Sequence, residues 1–195
     1  LDGVYASPGG FAIGDMFFRS ESGVVDYFLQ TMDGAGVDKG IYNSNKVWTK
    51  TTFNACFTPD STSTTTQKQR LAALIGLTWQ GAAGVTVNFF TGSSFNVCSQ
   101  ADLTTYDFKN YHAKSTDPTP VTRGCASIGT DHQGNDGVNC GMGATHAWAS
   151  MVTPANGPVG WQEQTAIHEF GHAFALLHEN RRSDAPGSGW GESDF

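Results

Sequence analysis

The stretch that decides the reading is His168-Glu169-Phe170-Gly171-His172-Ala173-Phe174-Ala175-Leu176-Leu177-His178. It follows Trp161 to Ile167 in the best helical pattern of the chain. On a helix, four residues turn through about 400°, so His168 and His172 lie about 40° apart on one face. Their imidazoles can then reach one zinc ion at about 2.0–2.1 Å. Glu169 sits one position beyond the first histidine, where a carboxylate can hold a water on the metal and take its proton. Imidazole suits zinc, and three protein ligands leave a fourth position open for that water. His168, His172 and His178 are therefore the candidate zinc ligands and Glu169 the candidate catalytic base.

His178 constrains the backbone. It lies six residues after His172, about 600° on a continuing helix, which is the wrong face. The helix must end between the two for His178 to swing back. Such an end normally uses a glycine in the left-handed conformation. Here the position is Ala175, for which that conformation costs about 1–2 kcal/mol.

The run from His168 to Asp184 resembles the metzincin zinc signature, H-E-x-x-H-x-x-G-x-x-H, with Ala175 in place of the glycine. Its continuation through Glu179, Arg182 and Asp184 is similar to the astacin branch, with Asn180 where astacins often have His. The resemblance implies an α+β fold: a zincin-like mixed five-stranded sheet with a backing helix and an active-site helix. It also implies an active-site cleft below an edge strand, to which a substrate peptide adds as a further strand. Ala147–Val152 is the candidate for that edge. A methionine turn is expected downstream of the third histidine, yet no Met follows Met151. The expectation is that the C-terminal subdomain lies largely outside these 195 residues, a separate chain being one way to supply it.

Residues 47–195 are thus read as the N-terminal part of a zinc-peptidase catalytic domain. Within it, a strand is expected over Val47 to Phe57, a helix from about Gln67 to Gln80, and a strand over Val85 to Phe90. Leu71, Leu74, Ile75 and Trp79 give that helix its apolar face, and Gly81 and Gly84 are expected to stop it. Residues 91–145 are rich in turn signals. Residues 1–46 form an N-terminal extension with one apolar cluster from Val24 to Met32. Within the extension, Ile13-Gly14-Asp15-Met16 resembles the Gly-Asp segment of astacin pro-peptides. That resemblance makes Asp15 a candidate inhibitory zinc ligand and the extension a candidate pro-segment; the plain alternative is a turn.

Composition bounds the rest. The chain has a formal net charge of −7, and 15% of its residues are charged. An acidic surface disfavours nucleic acid and anionic membrane as partners and leaves a protein or peptide substrate. Four cysteines with no C-x-x-C pair fit two disulfides in an oxidising, extracellular setting. Three connectivities are open, with Cys125–Cys140 the expected local bond. His112, His132 and His146 read as ordinary histidines, and Asp131, Asn135 and Asp136 as turn residues rather than calcium ligands.

The expected function is a secreted zinc metalloendopeptidase that hydrolyses peptide bonds with a zinc-bound water and a glutamate base. Two rivals stand beside it. Glu192, twenty residues after His172, gives a spacing similar to thermolysin-like enzymes, but Pro186, Gly187, Gly189 and Gly191 make poor helix there. A non-enzymatic zinc-containing binding module would close its metal with four protein ligands and would not need Glu169.

Overall fold

The structure is a computed structural model, and it describes residues 4–7, 10–13, 16–18, 42–59, 61, 63–98, 105–113, 124–133, 151–154 and 159–177. The fold is mixed α+β, with a sheet and two principal helices.

Three short strands open the chain: β1 (Val4–Ser7), β2 (Gly10–Ile13) and β3 (Met16–Phe18). Then come β4 (Thr52–Phe57), helix α1 (Thr65–Ile75), β5 (Thr86–Asn88) and a small hairpin of β6 (Phe90–Thr91) and β7 (Ser94–Phe95). β8 (Phe108–Ala113), β9 (Cys125–Ser127), β10 (Met151–Pro154) and α2 (Val159–Ala173) complete the described elements. The main sheet runs β1-β2-β3-β9-β10-β8-β4-β5. Five of its strands come from residues 52–154 and three from the N-terminal extension.

Each boundary has a local cause. Thr64 caps α1: its hydroxyl accepts from the Gln67 backbone N–H, while the Gln67 side chain accepts from the Thr64 N–H. This reciprocal cap starts the helix at Thr65, two residues before the expected start. After Ile75 the helix widens into a π turn, Gly76–Gln80. There the Thr78 hydroxyl donates to the Leu74 carbonyl at 2.8 Å, an insertion into the helical ladder that favours such widening. Gly81 does not stop the helix; Gly84 does, in the left-handed conformation with φ 64°.

One aromatic-rich core joins sheet and helices. Phe53 stacks on Phe108 at 5.1 Å, and Phe170 meets Phe108 at 5.8 Å and Phe89 at 6.0 Å. Leu71 and Ile75 of α1 and Ala166, Phe170 and Ala173 of α2 bury into the same cluster. On α2 these three recur at i, i+4 and i+7, the stripe of a helix lying on a sheet.

The edge-strand expectation is corrected. Residues 147–150 lie outside the described residues. Strand β10 begins at Met151 and lies inside the sheet, parallel to β8 and antiparallel to β9. It is β9 that borders this part of the sheet, and its outer side is covered by β3, paired in parallel as Met16 with Ala126 and Phe17 with Ser127.

Cys56 and Cys98 form a disulfide across 42 residues of chain. Cys125 is disulfide-bonded as well, and Cys140, its expected partner, lies outside the described residues. Both sulfurs of the first bond come from buried residues. Replacing Cys56 and Cys98 together by Ser is expected to lower unfolding stability by about 2–4 kcal/mol, mainly by freeing a long loop in the unfolded chain. The midpoint of urea unfolding checks this.

Candidate metal centre

Helix α2 carries the site on the side away from its core stripe. With His168 as origin, His172 lies about 40° away, while Ala166 and Phe170 lie about 160–200° away. The core contacts of Ala166, Phe170 and Ala173 therefore fix the direction in which the histidines project.

The two imidazoles converge. His168 Nε2 and His172 Nε2 are 3.0 Å apart, with ring planes nearly perpendicular. Two nitrogens bound tetrahedrally at about 2.0–2.1 Å stand about 3.3–3.4 Å apart, so little motion would seat both on one ion. The other nitrogen of His172 is engaged: Nδ1 lies 2.8 Å from the Leu176 carbonyl oxygen. A carbonyl only accepts, so the neutral ring carries its hydrogen on Nδ1 and keeps the Nε2 lone pair for a ligand. Residue types, spacing and tautomer all fit zinc. Among the described residues no group of three His, Cys, Asp or Glu side chains could hold a metal. A third donor for an ion held there would have to come from outside those residues. His178, like Glu192 and Asp15, lies outside the described residues.

Glu169 is 1% exposed, on the flank of the histidine face. Its carboxylate lies against the backbone at Gly124, immediately before β9: a Cβ built there would stand 2.4 Å from Oε1. Thr165, one turn earlier on α2, lines the same place, its methyl 2.5 Å from that built position. Gly124 was not among the residues that the sequence singled out.

Helix α2 ends at Ala173, between His172 and residue 178. Ala175 is the only non-glycine residue with positive φ among those described, at 74°. Leu176 N–H donates to the Gly171 carbonyl at 2.9 Å and Ala175 N–H to the His172 carbonyl at 2.8 Å. Together these form a Schellman end, with alanine in the place that glycine usually takes. The surroundings hold it there. Asn43 N–H donates to the Ala175 carbonyl at 2.9 Å, and Trp48 Nε1–H donates to the Ala173 carbonyl at 2.8 Å. Lys46 pairs with Asp131 at 2.8 Å, tying the segment 42–48 to the turn after β9. The helix thus stops after Ala173, and the Ala173 and Ala175 carbonyls are satisfied by a strap, residues 42–48, that runs from the end of the N-terminal extension into the domain.

The ordinary histidine reading applies to His132, which is buried with Nε2 2.7 Å from the Ser127 carbonyl oxygen. Asp131 pairs with Lys46. The side chain of His112 and all of His146 lie outside what the structure describes.

No family model matches the chain, and no curated protein matches it.

Proposed function

We propose that this chain carries the zinc site of a secreted metalloendopeptidase of the metzincin type, close to the astacin branch, acting on protein or peptide substrates. The observation that carries the proposal is the pair of Nε2 atoms facing one another at 3.0 Å beside a buried glutamate. The left-handed Ala175 supports it further, because it ends the helix between His172 and His178.

In this reading His168 and His172 hold the metal through Nε2, with His178 as third donor. Zinc, when bound, supplies a Lewis acid that acidifies water and polarises the scissile carbonyl. Glu169 orients the attacking water, accepts its proton on a carboxylate oxygen, and returns that proton to the amine nitrogen as the C–N bond breaks. Burial keeps this carboxylate fixed and shielded from bulk water.

The N-terminal extension belongs to the same proposal as a latency segment. Its strand β3 occupies the side of β9 to which a substrate peptide would add, and Met16 pairs with Ala126, two residues beyond Gly124. Asp15 precedes Met16 directly, which suits an inhibitory ligand. Replacing Asp15 by Ala in the uncleaved chain is expected to raise peptide hydrolysis by about tenfold or more, equivalent to about 1.4 kcal/mol of lost competition. A variant as slow as its uncleaved parent, with zinc still bound, removes the latency reading.

The test of the main proposal is metal analysis with anomalous scattering at the zinc edge, joined to casein hydrolysis with and without a chelator. One zinc on His168, His172 and His178 and chelator-sensitive hydrolysis are expected. Closure of the site by Glu192 overturns the metzincin assignment, and hydrolysis indifferent to the chelator overturns the zinc peptidase.

A further inference from the structure

We infer that Gly124 is a positioning residue for the Glu169 carboxylate, leaving by its missing side chain the space in which that carboxylate is held beside His168 and His172. The inference rests on the reading of Glu169 as the base. A Cβ built at Gly124 would stand 2.4 Å from Glu169 Oε1, 2.7 Å from Glu169 Cγ and 2.5 Å from Thr165 Cγ2. Non-bonded heavy atoms do not approach so closely, so any side chain at 124 displaces something.

Backbone conformation does not explain the glycine. Gly84, Gly92 and Gly129 have positive φ, and Gly124 is not among them. Alanine could adopt this backbone, so what position 124 requires is space. The strand cannot easily retreat either. Gly124 leads into Cys125, which is buried and disulfide-bonded, and β9 is held between β3 and β10. Glu169, by contrast, ends in rotatable bonds. An added methyl group at 124 therefore moves the carboxylate rather than the sheet. The three atoms nearest the built Cβ belong to Glu169 and Thr165 and to neither histidine, so the histidines' metal affinity is expected to persist.

The test is Gly124→Ala in the full chain, with three readouts. A misplacement of about 1 Å costs about 10²-fold in a positioned reaction, so kcat is expected to fall by about that factor with KM nearly unchanged. Zinc affinity should stay within about threefold, and a crystal structure should show the Glu169 carboxylate displaced by about 1 Å. Thr165→Ser in the same chain removes the Cγ2 clash alone and should not restore kcat. Restoration by Thr165→Ser, or a kcat within threefold of the parent with the carboxylate unmoved, overturns the inference. If Gly124→Ala does not fold, Gly124→Ala with Thr165→Ala is compared with Thr165→Ala alone, and equal kcat overturns it. Glu169→Gln serves as the control. If that variant hydrolyses as fast as the parent, the base reading fails, while the carboxylate position in the Gly124→Ala crystal still decides the steric inference.

Discussion

Glu169→Gln is expected to leave the metal in place and to reduce kcat by about 10²–10⁴-fold, the range for loss of a positioned general base. The substitution is nearly isosteric. Glutamine occupies the same buried space against Gly124 and Thr165, so packing is conserved. Its amide cannot take a proton from water, and its NH2 group offers donors where the carboxylate offers acceptors. His168 and His172 supply their Nε2 atoms without help from residue 169, and the His172 tautomer is set by the Leu176 carbonyl. Zinc content should therefore be unchanged. Atomic absorption and steady-state peptide hydrolysis on one preparation check both halves. Hydrolysis near the parental rate excludes Glu169 as base; loss of zinc together with activity makes it a structural residue.

Much of this site was legible because it depends on one helix. The H-E-x-x-H spacing fixes the His168 and His172 directions by helical geometry alone, and the apolar stripe at 166, 170 and 173 fixes which side faces the core. The need for a helix end before His178 also followed from rotation per residue, and Ala175 adopts the left-handed conformation at that point. What was not legible depends on contacts distant in sequence. Gly124 approaches Glu169 across 45 residues of chain, and Gly124 and Gly129 bracket Cys125-Ala126-Ser127-Ile128 as ordinary strand-bounding glycines. Nothing local distinguishes one that makes room from one that makes a turn.

The strands show the same division. β4 has the expected alternating residues, but it starts at Thr52 rather than at Val47, which follows a 3-10 turn over Ser44–Lys46 capped by Asn43. β8 falls within the stretch 91–145, whose turn signals indicate loop. Phe108 and Tyr111 are buried as strand residues should be, but so are Lys109 and Asn110, so the apolar alternation disappears. Asn110 is accommodated by donating to the Cys56 carbonyl at 3.1 Å, a compensation that sequence does not display. In the N-terminal extension the signals were present: Pro8-Gly9 and Gly14-Asp15 are turn-forming pairs between short apolar runs. The apolar cluster from Val24 to Met32 lies outside the described residues.

Gly129→Ala is expected to destabilise the protein by about 3–5 kcal/mol, combining the left-handed strain of alanine with overpacking. Gly129 has φ 50°, and a Cβ there would stand 2.0 Å from the Lys46 carbonyl oxygen and 2.9 Å from Ala175 Cβ. Unlike the contact at Gly124, the first obstacle is backbone, which cannot rotate aside. Relief requires moving the 42–48 strap or the turn of Ala175. The strap holds the end of α2 through Asn43 and Trp48. Moving it would expose the Ala173 and Ala175 carbonyls and loosen the helix end that precedes His178. For a chain of 195 residues the predicted loss corresponds to a fall in Tm of about 6–20 °C. Zinc affinity should weaken in parallel, because the proposed third donor, His178, follows closely in sequence on the disturbed turn. Thermal unfolding in excess chelator and zinc titration of the folded variant separate the two effects. A variant with reduced Tm and undiminished zinc affinity would show that the strap supports the fold without setting the metal turn.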